Sequence, residues 1–281
     1  MNRITMTTFG RWGRWGNQIL EVAFLDSYAR RYDARLELPD SELRRRFLLP
    51  LCEPRGPALP PYHERYHGDA LSEPVPPLGG NAVNHDFRGY GQYHTSWYTA
   101  DEQTRLRKLF RMAVPQSLWQ YAEDVRRDGR PLVGIHLRRG DYGRLIFPIT
   151  PVSWYLAWLK RHWPTLERPR LVVASEQPEL VDCFGEYEPE PLPSITDMAL
   201  TDALRDWYLL SQCDVVLSGN STFAFTAAMT GRCQAGQYWR ADLASERLEP
   251  TDPWDAWPIL HQRQEDFPNV PGAWLASNPQ W

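Results

Sequence analysis

Hydrophobic residues change their period along this chain, and each change marks an element. Residues 3–9 alternate apolar and polar positions among β-branched side chains, the pattern of a half-exposed strand. Three glycines, Gly10, Gly13 and Gly16, then interrupt the chain. Ile19 to Ala29 carry a wide apolar face at helical spacing, with Asn17 placed to cap it. Asp33 to Leu38 predict a second strand. Residues 50–80 are dense in proline and glycine and predict an irregular surface excursion. A short strand and an aromatic-rich loop follow over 85–98, then two helices, Asp101 to Met112 and Gln116 to Arg127. The second helix ends at Asp128-Gly129, which is taken as the boundary between halves 1–129 and 130–281.

Beyond that turn the alternation becomes regular. Leu132 to Leu137 form one continuous apolar run, as expected of a strand buried on both faces of a parallel sheet. Trp154 to Trp163 read as a helix capped by Ser153, and Leu171 to Ala174 as a strand. Thr201 to Cys213 read as an amphipathic helix, Asp214 to Ser218 as a strand, and Phe223 to Thr230 as a helix closed by Gly231. Such alternation specifies a parallel, Rossmann-like α/β half, of which the first half is a looser version. No period is evident after Gly231, and the Trp-rich tail is expected to pack back over one half or the other.

Composition narrows the partners. With 42% hydrophobic and 23% charged residues the chain reads as a globular protein. A net charge of −4 argues against nucleic acid held by bulk electrostatics, so any anionic ligand needs a local cluster. Cys52, Cys183, Cys213 and Cys233 are widely spaced, with no C-x-x-C, and read as reduced thiols. No apolar run approaches the roughly 18 residues of a membrane span, and Met1 to Met6 lack a signal-peptide core. The expectation is a cytoplasmic protein, with a peripheral place at the inner membrane face left open.

Two stretches carry candidate chemistry. After the buried strand come His136, Arg138, Arg139, Gly140, Asp141 and Tyr142. In open α/β sheets ligands bind beyond the carboxyl ends of strands, and paired guanidiniums offer planar forks to phosphate oxygens. After the strand ending at Ser218 come Gly219, Asn220, Ser221 and Thr222, opening a helix whose first N–H groups favour an anion. Plain capping is the simpler reading of Ser221 and Thr222, and it is compatible with phosphate binding. On one sheet edge the two stretches would make a diphosphate cradle.

Other patterns carry less. Gly10, Gly13 and Gly16 are spaced G-x-x-G-x-x-G, which is not the dinucleotide fingerprint, and the acidic balance disfavours RNA stacking on the repeated Gly-Arg-Trp. His63-Glu64-Arg65-Tyr66-His67 matches H-E-x-x-H, but that zinc pattern works only on a helix. Pro60-Pro61 and Gly68 leave barely two turns for one, so no metal site is expected.

Four blocks in order resemble a known family. Gly13-Arg14-Trp15-Gly16-Asn17-Gln18 is similar to the G-R-x-G-N-Q opening of fucosyltransferases. His136 to Tyr142 matches the H-x-R-R-G-D-Y signature of the α-1,2-fucosyltransferases of glycosyltransferase family 11. Ser218 to Ala227 resembles that family's S-N-S-(S/T)-F-S-W-W-A-A segment, and Gly89-Tyr90-Gly91-Gln92 its G-Y-F-Q. Gly219 is an insertion, and Ala224-Phe225-Thr226 replace Ser-Trp-Trp, which leaves linkage and acceptor open.

The resemblance implies a GT-B fold, two Rossmann-like halves facing across a cleft, with the acceptor on the first half and the donor on the second. It implies inverting transfer of L-fucose from GDP-β-L-fucose to a hydroxyl of an oligosaccharide or lipid-linked glycan, α-1,2 to galactose, with no cofactor or metal. Arg138 would stabilise charge on the departing GDP. Arg14 and Asn17 would approach the fucose or diphosphate, and Arg139, Asn220, Ser221 and Thr222 would hold phosphate. Asp206 would pair with guanine N–H groups. Asp141 and His136 are the candidate general bases, with His136 also readable as structural. A GT-B transferase of another nucleotide sugar, and a non-catalytic glycan- or nucleotide-binding protein, remain alternatives.

Overall fold

The computed structural model describes residues 2–11, 13–50, 52–64, 78–92, 95–140, 142, 148–194 and 201–255. The chain forms two compact units. Val114–Pro253 make the second, and the described residues up to Ala113 with Trp254 and Asp255 make the first; the Trp-rich tail from 256 on lies outside the described residues.

The first unit runs β1 (Asn2–Thr5), α1 (Trp15–Arg31), β2 (Ala34–Glu37), α2 (Glu42–Arg46), β3 (Pro61–His63), β4 (Asp86–Arg88), α3 (Thr95–Tyr98) and α4 (Gln103–Leu109). Its sheet has the order β2-β1-β4-β3, and every neighbouring pair is parallel. Helix α1 buries Ile19, Leu20, Val22, Ala23, Phe24 and Leu25 completely. Burial of each large apolar side chain contributes about 1.5–3 kcal/mol. The ring of Phe24 meets Tyr28, Phe87 and Tyr98 at centroid distances of 5.2–5.5 Å, fixing α1 against β4 and α3.

Strand β1 is shorter than the alternation over 3–9 predicts. The Asp86 carboxylate accepts from the Thr7 N–H at 2.7 Å and from the Thr5 and Thr7 hydroxyls at 3.1 and 2.8 Å. These bonds bend the chain out of the sheet after Thr5 and aim the glycine-bearing loop. Helix α1 also starts before Asn17. Its N-cap is Arg14, and Asn17 lies in the first turn rather than at the cap, because Trp15 and Gly16 are already helical.

The second unit runs α5 (Gln116–Arg126), β5 (Leu132–Leu137), α6 (Val152–His162), β6 (Arg170–Ser175), α7 (Asp202–Ser211), β7 (Val215–Ser218), α8 (Thr222–Thr230), β8 (Tyr238–Asp242) and β9 (Arg247–Thr251). Its sheet order is β6-β5-β7-β8-β9, parallel except for the last pair. All six residues of β5 are buried, as the continuous apolar run requires. Thr201 caps α7 by accepting from the Leu204 N–H at 3.3 Å. Strands β8 and β9 form a hairpin in which Trp239 pairs with Pro250. Helix α5 belongs to this unit, so the division falls between Ala113 and Val114, ahead of Asp128-Gly129. Arg126 binds the Gln212 carbonyl at 2.7 Å and the Asp214 carboxylate at 3.2 Å, and the Tyr121 hydroxyl donates to the Pro191 carbonyl. Those bonds hold α5 to the strands it precedes.

Both sheets share a device. In each, the chain goes from a central strand through a helix to one neighbour (β1 to β2, β5 to β6) and later returns on the other side (β4, β7). Each therefore has a switch point, between β1 and β4 and between β5 and β7, where loops diverge and leave room for a ligand. Among the described residues no helix is long and apolar enough to cross a membrane.

Candidate functional site

The motif blocks of the second unit emerge at its switch point. Strand β5 pairs with β7 in a register that sets His136 opposite Ser218, so the loops after both strands start level. Tyr142 donates its hydroxyl to the Asn220 carbonyl, tying the loops together. The Arg138 guanidinium lies 5.0 Å from the Tyr142 ring centroid, within cation–π range. Arg139 is buried and donates Nη1 to the Arg138 carbonyl at 2.9 Å. Gly140 has φ +62°, and a Cβ there would lie 3.0 Å from the Glu176 carboxylate. Asp141 lies outside the described residues.

Glu176, at the end of β6, is the local counter-charge. Its Oε1 pairs with Arg138, and its Oε2 accepts from the Arg139 N–H at 3.0 Å. Sequence reading missed it, although an acid directly after a buried strand on the same edge is a signal of the same kind as the arginines.

Across the Tyr142–Asn220 bond lies the N-terminus of α8. Ser221 is its N-cap, but its hydroxyl caps no N–H; the capping reading therefore does not account for it. The Ser221 N–H instead bonds the Gly219 carbonyl at 2.9 Å in a tight turn. Gly219 has no room for a side chain, since a Cβ would sit 2.7 Å from Thr150 Oγ1. Ser218 Oγ donates to the Gly219 carbonyl (2.8 Å) and lies 2.9 Å from the Tyr238 hydroxyl. Asn220 Oδ1 is buried without a hydrogen-bond partner among the described residues.

His136 is buried and packs its ring on Phe223 at 5.0 Å. Burial lowers its pKa to about 3, helped by the charges of Arg138 and Arg139, so the imidazole is neutral. Its Nδ1 has no hydrogen-bond partner among the described residues. Asp206 sits on α7 and takes Arg205 Nε at 2.8 Å and Nη2 at 2.7 Å on one oxygen. Burial raises its pKa to about 6 against the opposing pull of Arg205.

The other two blocks meet inside the first unit. Gln92 donates Nε2 to Asn17 Oδ1 at 3.0 Å, and a Cβ on Gly13 would strike Asn17 Cβ at 2.7 Å and the Tyr90 ring at 3.0 Å. Gly13 is at φ +71°, a conformation open to glycine at little cost. Gln18 Nε2 donates to the Gly13 carbonyl at 3.2 Å. Arg14 is exposed as the N-cap of α1. Beside this loop a cavity of about 400 Å³ is lined by Phe9, Arg11, Trp15, Gln18 and Asp40. The zinc pattern does not form its required geometry, because Pro61–His63 is a strand; Arg65 to His67 lie outside the described residues.

No protein-family model matches the chain, and no curated protein matches it in sequence. Solved structures do share its fold. The fucosyltransferase NodZ from Bradyrhizobium superposes with a TM-score of 0.53 at 15% identity, covering 89% of this chain and 97% of that one. A NodZ alpha-1,6-fucosyltransferase soaked with GDP-fucose gives 0.51 at 14% identity, with the same coverage. An Arabidopsis thaliana FUT1 mutant in complex with GDP gives 0.52 at 14% identity, covering 85% of this chain and 70% of that one. The fold is thus the mixed α/β, GT-B architecture of fucosyltransferases, with parallel sheets in both units.

Proposed function

We propose that this chain is an inverting fucosyltransferase that moves L-fucose from GDP-β-L-fucose to a hydroxyl of a glycan. The observation that carries this is the convergence, at the β5/β7 switch point, of Arg138 and Arg139 with the N-terminus of α8. Preorganised cations and N–H groups aimed at a diphosphate stabilise the charge that grows on it as the sugar–phosphate bond breaks. Arg138 serves the β-phosphate, with Arg139, Asn220, Ser221 and Thr222 around it. Two guanidiniums supply positive charge that a divalent ion would otherwise supply, so transfer is expected to survive chelation by EDTA.

The resemblance in the four blocks supports fucose as the sugar and α-1,2 linkage to galactose. By the resemblance Asn17 and Arg14 would serve the sugar, and Asp206, whose pKa burial raises to about 6, would offer an acceptor to guanine once it loosens from Arg205. Of the candidate bases, His136 is neutral but too weak to take a hydroxyl proton, which supports a structural role for it. Asp141 is the base if one is needed; a strongly dissociative transition state lessens that need. The cavity beside Trp15 suits the acceptor: an indole, a carboxamide and a carboxylate match the face and hydroxyls of a neutral sugar. A cytoplasmic enzyme acting on oligosaccharide or lipid-linked precursors of a bacterial surface glycan fits this reading.

The decisive experiment screens GDP against UDP by thermal shift, then nucleotide sugars for donor hydrolysis and radiolabelled transfer. GDP at about 100 times its Kd stabilises by about 2.7 kcal/mol, while UDP has no effect. Stabilisation by UDP alone points to another nucleotide sugar. GDP binding without any turnover points to a non-catalytic binding protein.

A further inference from the structure

Glu64 belongs to the zinc-like pattern, and the fold gives it different work. It follows β3, is buried, and turns Oε2 toward the N–H groups of Tyr90 at 2.8 Å and Gly91 at 2.9 Å. Its own N–H donates to the Arg88 carbonyl at 2.8 Å, so both ends of the residue are fixed. A carboxylate accepting two backbone N–H groups forms charge-assisted bonds, stronger than neutral ones. Gly89 and Gly91 make the clamp possible. A Cβ on Gly89 would fall 2.4 Å from Glu64, and one on Gly91, at φ +65°, 2.5 Å from the Phe24 ring of α1. The turn is held between Glu64 and α1.

That turn delivers Gln92, whose Nε2 occupies Asn17 Oδ1. With its oxygen taken by a donor, Asn17 has its Nδ2 oriented as a donor in turn. One turn further along α1, Glu21 is fully buried, and both its oxygens lack a hydrogen-bond partner among the described residues. Burial raises its pKa well above the usual carboxylate value, and Glu64 adds to the effect.

We propose that Glu64 is a positioning residue: through the Tyr90–Gln92 turn it sets the direction in which Asn17 presents its amide to a sugar at the β1/β4 switch point. This rests on the role given above to Asn17. The test uses Glu64→Ala, Glu64→Gln, Asn17→Ala and the Glu64→Ala/Asn17→Ala double variant, measuring transfer, GDP affinity and melting temperature. Misplacement of a contact group typically costs roughly 10²-fold in rate, and kcat should fall on that scale in Asn17→Ala and Glu64→Ala, with GDP affinity unchanged. Glu64→Gln keeps an accepting oxygen and restores most of the activity. The double variant is no slower than Asn17→Ala alone.

If Glu64→Ala slows the Asn17→Ala enzyme by the same factor as the parent, the proposal is overturned. A second readout needs no activity: the side-chain amide NMR signals of Asn17 move in Glu64→Ala and return in Glu64→Gln. An unmoved Asn17 amide rejects the positioning role. An inactive parent, or an Asn17→Ala variant with full activity, rejects the functional reading and leaves the amide test standing.

Discussion

At the switch point of the second sheet the polar groups are two arginines, a helix N-terminus and one counter-acid. At the switch point of the first they are a clamped carboxylate, two carboxamides and a buried acid, with Arg14 exposed at the rim. The crossover that makes each switch point is the same; the chemistry is not. A diphosphate carries charge, and charge is best met by cations that need no reorganisation. A sugar hydroxyl is neutral and directional, so what matters is which atom of an amide faces it. The second site therefore spends its buried side chains on sign, and the first spends them on orientation.

The largest expected effect tests sign. Arg138→Ala should lower transfer by about 10²–10³-fold, the range for removing one preorganised donor. Calorimetry with GDP, alongside an unchanged circular dichroism spectrum, would separate lost binding from lost fold. Activity close to the parent's would break the contrast between the two sites.

Next come two glycines, one in each unit. Gly134→Ala places a Cβ 2.6 Å from Cys213 Sγ, and Gly91→Ala places one 2.5 Å from the Phe24 ring at positive φ. Overpacking of this kind costs about 1–3 kcal/mol, and the backbone strain at Gly91 adds to it. Urea titration should find both variants destabilised, Gly91→Ala more so.

Glu176→Gln removes the anion that competes with a diphosphate while keeping an oxygen near Arg138 and the Arg139 N–H. GDP should bind several-fold more tightly. Weaker binding would mean that Glu176 holds Arg138 in place more than it guards it.

The pH dependence of stability turns on two buried groups with opposite signs. His136 falls from 6.5 to about 3 on folding, so its contribution is complete above pH 6.5 and declines as the pH drops toward 3. The slope is at most about 1.4 kcal/mol per pH unit. Glu21 rises from 4.5 on folding, so its contribution is complete below that value and declines as the pH rises. Melting curves from pH 4 to 9 should show His136→Gln flattening the acid limb. Glu21→Gln should flatten the alkaline limb and raise the melting temperature by a few degrees at neutral pH.

The second unit was the more legible in the sequence, for a physical reason. Strands such as Leu132–Leu137, buried on both faces, write themselves as unbroken apolar runs, and the polar residues that follow must lie at the sheet edge. Strands β8 and β9 were not legible, because Arg240 and Glu249 pair in the hairpin and break any alternation. The buried acid at Glu21 hides for the opposite reason, since hydropathy averages over the single charge in Ile19-Leu20-Glu21-Val22. Its signal was positional: an acid one turn from Asn17 on the face that packs inward. Asn17 itself reads as a cap from composition, yet two helical residues precede it. Glu64 could be found by pattern, but only its strand setting and two backbone partners reveal its work.

The hairpin that closes the second sheet also decides how that sheet ends. Pro250, on the outermost strand, brings no N–H to a ladder, and at the opposite border the Glu190 N–H already occupies the Leu171 carbonyl at 2.8 Å. Neither border offers an unbroken row of donors and acceptors to a foreign strand. A five-stranded sheet with a strongly apolar middle is thereby kept from templating its own aggregation.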